Sequence, residues 1–243
     1  MAITEYFIRF LQRRDTLAPR DLDRLRAVPT HHVNFAPGDV IVPADRTAKR
    51  SCMMLKGLSA RSHTLVGRPK ERVITALHVP GDFVDLHGFV LAGLEHSVVA
   101  TGHVEVEFID HSELIEITEN FPHLTRLLWM ATLIDAAIHR QWLVAAASLR
   151  SSAHLAHLLC EIYTRLNAVG AASDYQFSLN LLQRELADIL GYSPIHVNRA
   201  VRDLRDRSLI RWSGADINIL DWQGLASLAR FDPAYLDMER QSR

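Results

Sequence analysis

The stretch from Gln183 to Ile210 limits the possible folds of this chain more than any other part of its sequence. It opens with a segment whose apolar residues share one side of a short helix, namely Leu186, Ile189 and Leu190. Gly191 follows, and glycine readily adopts the left-handed backbone that commonly ends a helix. Ser193 can cap a second helix, with Pro194 at the first helical position, where no backbone N–H is needed. The stretch therefore predicts two short helices joined by a tight turn.

The second predicted helix has an apolar face and a polar face. Successive residues of a helix are rotated by about 100°, so Val197, Ala200, Val201 and Leu204 lie on one side of it. The opposite side carries Ile195, Asn198, Arg199, Arg202 and Asp206. Two helices of this kind are what a helix-turn-helix needs, so the second helix is predicted to enter the DNA major groove. The alternative interpretation is a surface helical hairpin in an unrelated helical domain.

We predict two kinds of DNA contact from this region. Arg199 is expected to pair with guanine, Asn198 with adenine, and Ile195 to touch a thymine methyl group. Arg202 is expected to reach a base edge or a phosphate. Contacts to the DNA backbone, which position a protein without specifying a sequence, are expected from Ser193, His196, Arg205 and Arg211.

Charge and cysteine content narrow the class of protein. The formal net charge of the 243-residue chain is −1, so no overall positive field indicates nucleic-acid binding. Basic charge is instead local, because Arg199–Arg211 contains five arginines against Asp203 and Asp206. Cys52 and Cys160 are too few and too far apart for a disulfide framework. The N-terminal apolar run contains charges, unlike a signal peptide, and no long uncharged apolar span occurs. We therefore expect a cytoplasmic protein with no membrane partner.

Between Val33 and Ile109 the pattern changes to short segments rich in Val, Ile, Leu and Phe. Turn signals such as Pro37-Gly38-Asp39 and Pro80-Gly81-Asp82 separate these segments. No long helical period lies between the turns, so the region is predicted to be an antiparallel β sandwich or barrel. The residues before it, 1–30, are predicted to form one or two short packing helices.

A long helix is predicted to begin at Pro122, after a shorter helix capped by Ser112. It is apolar around nearly its whole circumference, so it must be buried on more than one side. One row of residues repeats at alternating spacings of four and three, which is typical of a coiled-coil seam. We predict that this row forms the interface with a second copy of the chain: Leu127, Ala131, Ile134, Ile138, Gln141 and Ala145. The alternative is a central helix buried within one chain.

The C-terminal part is predicted to begin with a joint at Leu149–Ser152 and an amphipathic helix over residues 153–167. After the helix-turn-helix, Leu209–Trp212 and Ile217–Leu220 alternate in polarity around Ser213-Gly214, as a small β hairpin or wing does. Asp221 can cap a last short helix.

The chain resembles the cyclic-AMP receptor protein/FNR (Crp/Fnr) family of bacterial transcription regulators over roughly residues 33–225. The most specific matches are Pro80-Gly81-Asp82-Phe83, the pattern Glu185-Leu186-Ala187…Gly191-Tyr192-Ser193…Val197-Asn198-Arg199, and Leu209-Ile210. The resemblance implies an α+β fold with an N-terminal antiparallel β jelly roll, a long dimerisation helix and a C-terminal winged helix-turn-helix. The expected boundaries of these parts are residues 1–121, 122–149 and 150–243.

The resemblance also implies a function. The protein would be a homodimer that binds double-stranded DNA at a two-fold symmetric site and regulates transcription, with RNA polymerase as a further partner. The alternative is a small-ligand-binding β domain whose C-terminal helices serve dimerisation or protein interaction. An enzyme is not expected, because the sequence contains none of the nucleophile-elbow, Walker, dinucleotide or zinc-protease motifs.

The sequence departs from the family pattern in the region that binds cyclic nucleotides. In nucleotide-binding members a Glu holds the ribose and an Arg before a Ser holds the phosphate, whereas Leu86 and His96 stand here. Hydrogen bonds to charged groups contribute roughly 1.5–3 kcal/mol each, so cyclic AMP is not expected to be the effector. We predict a pocket for an unknown effector from Asp85, His87, His96, Ser97, His139 and Arg140.

No metal or cofactor site is predicted. Residues 1–51 contain no cysteine, which excludes an N-terminal iron–sulfur cluster of the kind found in oxygen-sensing members. His154, His157 and Cys160 are spaced three apart on one predicted helix, so successive side chains rotate around the helix and do not converge on one ion.

Overall fold

The computed structural model of the protein describes residues 4–44, 48–65, 67–181 and 183–243. Two short helices come first, α1 (Glu5–Gln12) and α2 (Pro19–Ala27). Helix α1 begins after Thr4, whose side chain accepts a hydrogen bond from the Tyr6 amide at 3.2 Å. Its apolar residues are buried, which confirms the predicted packing helices: Phe7, Ile8, Phe10 and Leu11.

An antiparallel β sandwich follows, as the turn pattern predicted. Its strands are β1 (His31–Phe35), β2 (Val40–Val42), β3 (Arg50–Lys56), β4 (Ser59–Leu65), β5 (Arg68–His78), β6 (Ser97–Ala100) and β7 (Val104–Asp110). One sheet has the order β1-β7-β3 and the other the order β2-β6-β4-β5. Side chains from both sheets share one buried core, which includes Cys52, Met54, Val98, Val104 and Val106.

Two helices leave the sandwich, α3 (His111–Asn120) and α4 (Pro122–Ser148). The prediction that Ser112 caps the first of them was wrong. Helix α3 begins at His111, two residues earlier than predicted and directly after strand β7, and no side chain of the described residues caps it. Pro122 stands in the first turn of α4, as predicted, because its missing N–H leaves no hydrogen bond unmade there.

The C-terminal part is a winged helix-turn-helix. It consists of α5 (Ser151–Ala168), β8 (Gln176–Ser178), α6 (Gln183–Leu190), α7 (Pro194–Asp206), β9 (Ile210–Ser213), β10 (Asp216–Ile219) and α8 (Trp222–Ala229). Strands β9 and β10 form the predicted wing, with β8 as an additional strand on the other side of β10. Asp221 accepts a hydrogen bond from the Gly224 amide at 2.9 Å and so caps α8, as predicted.

The helix-turn-helix is docked on the β sandwich. Leu58, Ala60 and Ile74 of the sandwich belong to the same apolar core as Leu186 and Ile189 of α6. The chain therefore holds the first helix of the motif against strands β4 and β5.

The residues after α8 pack back onto the N-terminal helices. A 3₁₀ turn at Pro233–Leu236 leads this segment, and Leu236 is buried in the same core as α1 and α4. The buried Arg14 guanidinium donates to the Leu236 carbonyl at 2.8 Å and stacks on the Phe10 ring at 3.9 Å. Helix α1 and the segment after α8 thus meet beside α4. None of the described helices is long and apolar enough to span a membrane.

Candidate DNA-binding surface and interior polar cluster

The turn between α6 and α7 has the geometry that its residues predicted. Gly191 ends α6 with a φ of +68°, a left-handed conformation that glycine adopts without a steric penalty. Ser193 is the N-cap of α7, and its hydroxyl lies 3.4 Å from the His196 amide. Val197, Ala200 and Leu204 are buried against the rest of the domain. Burial of this face fixes which side of α7 faces outward.

The outward face of α7 carries the predicted base-reading residues. Ile195 is 64% exposed, and Asn198, Arg199 and Arg202 are exposed as well. Within the described part of the chain, Arg199 and Arg202 form no hydrogen bond or ion pair. Their guanidinium groups can therefore contact a partner without first breaking contacts inside the protein. An arginine fork of this kind can pair with guanine through two hydrogen bonds.

The residues predicted to touch the DNA backbone do not all lie on this face. His196 is exposed beside the cap, with Nδ1 2.8 Å from the Ser193 hydroxyl. Arg205 is exposed but donates to the Trp212 carbonyl, and so ties α7 to the wing. Arg211 is also exposed, yet it lines a cleft between the wing and the sandwich that includes Lys56 and His103 and no residue of α7.

The predicted interface seam on α4 is corrected by the structure. Most of its residues are buried in the chain's own core, so they do not face outward: Leu127, Ile134, Ile138 and Ala145. Ala131 and Gln141 are only half-buried. The reason is that α4 packs this side against α1 and the turn after β5, which the heptad spacing could not reveal.

A different side of α4 is exposed and apolar. It carries Trp129, Leu133, Leu143 and Val144, of which Trp129 is 65% and Leu143 73% exposed. Trp129, Leu133, Ala136, Arg140, Leu143 and Ala147 again alternate at spacings of four and three. This row, which is apolar except for Arg140, lies about half a turn around the helix from the predicted one.

The predicted effector-pocket residues are divided by the structure. Arg140 is exposed on the outer side of α4, away from the interior. Its neighbour His139 points inward, and adjacent helical residues point about 100° apart. The Ser97 hydroxyl accepts a hydrogen bond from the Ala44 amide at 3.0 Å, which is a structural contact. Asp85 is buried, and its Oδ1 accepts from the Cys52 amide at 2.6 Å. Burial raises the pKa of Asp85 to about 7.

His139 does face inward, where it meets an arginine that the sequence reasoning missed. The Arg61 side chain is 4% exposed, and its Nη1 lies 3.1 and 3.2 Å from the two ring nitrogens of His139. Its Nη2 donates to Asp135 Oδ2 at 2.9 Å, so a partly buried charge pair joins strand β4 to helix α4. Burial, followed by the Arg61 charge, lowers the pKa of His139. His139 is therefore neutral at pH 7 and accepts the hydrogen bond.

Next to Arg61, the structure brings three imidazoles together. The His96 ring centroid lies 5.4 Å from that of His63 and 5.3 Å from that of His87. His87 and His96 were predicted to be neighbours in a pocket, whereas His63 was not included. Alternation along β4 places Arg61 and His63 on the same face of the sheet. A sequence signal for Arg61 and His63 was present. They are polar residues at alternate positions of one strand in an otherwise apolar sandwich.

A second buried network joins the Pro80-Gly81-Asp82 turn to the C-terminal part. Arg165 of α5 donates to Asp82 Oδ2 at 2.5 Å, to Glu161 Oε1 at 2.9 Å and to the Leu77 carbonyl at 2.9 Å. Glu161 also accepts from the Tyr235 hydroxyl at 2.8 Å. Burial alone would lower the pKa of Arg165, but Asp82 and Glu161 outweigh it and raise the pKa, so the guanidinium stays charged.

Fold and site together define a winged helix-turn-helix protein with an N-terminal β sandwich. Residues 153–228 match the sequence model of the Crp-like helix-turn-helix domain. The transcriptional regulatory protein btr of Bordetella pertussis is 27% identical over 155 residues, which is 64% of this chain and 64% of that protein. The HTH-type transcriptional regulator Cmr of Mycobacterium tuberculosis is 26% identical over 200 residues, 81% of this chain and 75% of that protein.

Solved structures agree on the architecture. FixK2 from Bradyrhizobium japonicum superposes with a TM-score of 0.72 at 21% identity, and the match covers 83% of this chain and 98% of that one. At this identity the likeness concerns the fold. Residues 153–228 therefore form a Crp-like helix-turn-helix domain, as the resemblance predicted, and the chain shares the fold of FixK2 over 83% of its length.

Proposed function

We infer that the protein is a homodimeric, sequence-specific DNA-binding transcription regulator. The single observation that carries this inference is the outward face of α7. It presents Ile195, Asn198, Arg199 and Arg202 on a helix whose opposite side is buried in the domain. Such a face supplies two arginine forks, an amide and an apolar contact, which are the groups that distinguish base pairs in the major groove.

Binding to a two-fold symmetric DNA site requires a second copy of the chain. The exposed apolar side of α4, with Trp129, Leu133 and Leu143, favours pairing of α4 with its counterpart in another copy. An exposed apolar surface of this kind on a soluble protein marks an interaction site. Two copies of α7 would then reach successive major grooves about 34 Å apart and bind a two-fold symmetric site.

The interior of the sandwich does not favour cyclic AMP as the effector. Leu86 and His96 occupy the positions of the two nucleotide-holding residues, and both are buried. Arg61 does not replace the missing arginine, because Asp135, His139 and the Val84 carbonyl already engage its guanidinium. RNA polymerase is a further proposed partner, in keeping with the role of a transcription regulator.

The test replaces one base-reading side chain. Arg199→Ala should abolish the preference for the specific site while retaining weaker, sequence-independent binding, since a bidentate contact is worth roughly 1–3 kcal/mol. Fluorescence anisotropy with a specific and a scrambled duplex at fixed salt measures both affinities. Arg13→Ala, which removes another exposed arginine at the C-cap of α1, is the matched control and should leave the preference unchanged.

An unchanged preference in the Arg199→Ala protein would contradict the assignment of α7 as the reading helix. If the wild-type protein binds no duplex DNA, the alternative function gains support. In that case the sandwich would bind a small ligand, and the C-terminal helices would serve protein interaction.

A further inference from the structure

His63, Glu95 and His96 form a group of ligand-type side chains at one end of the sandwich. One ligand atom from each lies within 4.8 Å of the others. The sheet register produces this grouping, because Ser62 of β4 pairs with Ser97 of β6 in antiparallel fashion. His63, the residue after Ser62, therefore faces His96, the residue before Ser97. Glu95 comes directly before His96, in the bend that leads into β6.

Hydrogen bonds already orient all three members of this group. His63 Nε2 lies 3.0 Å from the Thr75 hydroxyl, which leaves Nδ1 of the same ring available as a ligand. Glu95 Oε1 lies 3.2 Å from His96 Nδ1. Metal-binding histidines commonly use one ring nitrogen for the ion and the other for an orienting partner. The contact between His63 and Thr75 has this form.

His96 carries an unsatisfied polar atom. Its side chain is 1% exposed, and its Nε2 has no hydrogen-bond partner in the described part of the chain. A buried polar group left unpaired costs about 1–3 kcal/mol, so such groups call for a reason. Coordination of an ion by His96 would supply such a reason. The Glu95 carboxylate would then move from its contact with His96 Nδ1 in order to bind the same ion. The neighbouring His87 imidazole offers a further donor.

The protonation states suit metal binding. A metal requires neutral imidazoles and ionised carboxylates. Burial, followed by the Arg61 charge, lowers the pKa of His96 to about 4, so its ring is neutral at pH 7. A hydrogen bond from its own backbone amide lowers the pKa of Glu95, so the carboxylate is ionised. The charge of Arg61 opposes a cation nearby, but Asp135 at 2.9 Å offsets it.

The donor set indicates the kind of ion. Two imidazoles and one carboxylate suit zinc and similar divalent transition metals, whereas calcium and magnesium prefer all-oxygen sites and copper(I) prefers sulfur. We propose that His63, Glu95 and His96 bind one divalent transition-metal ion of the zinc class at this end of the sandwich. With three protein ligands, the fourth position is open to water or to His87.

The position of the site gives the ion a regulatory use, and this part of the proposal rests on the proposed DNA-binding function. Arg61 lies two residues before His63 on β4 and is bonded to Asp135 and His139 of α4. An ion that shifts β4 therefore acts on a strand directly bonded to the helix proposed to pair the two copies. Metal occupancy should change the affinity for the specific DNA site.

The binding test uses the full-length chain after treatment with a chelator that is then removed. Zinc is titrated against a chromophoric chelator, and cobalt(II) absorption reports the ligand geometry. We expect one zinc ion per chain, with affinity at least about tenfold lower in His63→Ala and Glu95→Gln. Glu95 is 69% exposed, so its replacement preserves the fold. His31→Ala, which alters an exposed histidine paired with Asp110 on the outer side of β1, should bind as wild type does.

Two results would overturn the metal site. One is that the wild-type chain binds no zinc beyond what His63→Ala binds. The other is that His31→Ala loses as much affinity as the two cluster variants. DNA affinity is then measured with and without zinc, and an unchanged value overturns the regulatory part. Absence of specific DNA binding in both conditions instead contradicts the proposed function, while the zinc titration stands independently of it.

Discussion

Replacing Arg165 with methionine should destabilise the protein far more than the same replacement at Arg207. Both arginines pair with a carboxylate four residues earlier at 2.9 Å, so the two pairs have the same spacing and length. They differ in burial. The Arg165 and Glu161 side chains are 8% and 0% exposed, whereas those of Arg207 and Asp203 are 55% and 36% exposed.

Burial sets the magnitude of each loss. Among the described residues, removing Arg165 leaves the buried Glu161 carboxylate with only the neutral donors Trp142 and Tyr235. It also removes the charged partner of Asp82, which in the described part of the chain keeps only the Val79 amide. Breaking a buried pair by deleting one member costs about 3–5 kcal/mol. The exposed helical pair of Arg207 is worth about 0.3–0.5 kcal/mol. The two variants should therefore differ by about 2.5 kcal/mol or more in the free energy of unfolding.

Urea denaturation followed by tryptophan fluorescence measures both free energies at one chain concentration. Circular dichroism before denaturation checks that each variant has folded. A difference below about 1 kcal/mol would refute the reasoning, because it would mean that the Arg165 pair is no stronger than a surface pair.

Three further predictions concern the interface, the pH dependence of stability and the effector. Leu143→Glu should shift the protein to a single chain in analytical ultracentrifugation, whereas Ile115→Glu, at an exposed apolar position of α3, should not; equal behaviour would contradict the seam on α4. Burial lowers the pKa of His123, but hydrogen bonds to Asp21 and Asp15 outweigh it and raise the pKa. The charged ring therefore stabilises the fold at low pH, and this contribution is lost as the pH rises through the raised pKa. His123→Gln should lower the free energy of unfolding more at about pH 6 than at about pH 9, and the reverse order in urea denaturation would contradict this pairing. Calorimetry should detect no cyclic AMP binding with a dissociation constant below about 1 mM. Tighter binding would contradict the inference that Leu86 and His96 cannot hold the nucleotide.

The helix-turn-helix could be predicted from sequence because its determinants are local. Gly191, Ser193 and Pro194 act within a few residues of where they stand, through backbone conformation and capping. The turns of the sandwich were predictable for the same reason. Strand β8 was missed, since three residues carry too little pattern to be recognised without their partner strand β10.

Features that depend on distant contacts could not be predicted. Helix α4 is apolar nearly all round, so two rows of residues satisfy a heptad spacing. Only the packing of α1 and the sandwich shows that the row with Leu127 is inside and the row with Leu143 outside. The meeting of His63 with His96 likewise depends on the register of β4 and β6, which lie more than thirty residues apart in sequence.

Selection of genomic DNA fragments by the purified protein tests the central claim most directly. Fragments retained at moderate salt and then sequenced should share a two-fold symmetric site whose half-sites are about 34 Å, or one helical turn, apart. Competition with a scrambled duplex should leave this binding intact. Retention of fragments without any shared sequence, or loss of binding to the scrambled competitor, would contradict the account of α7 as a sequence-reading helix.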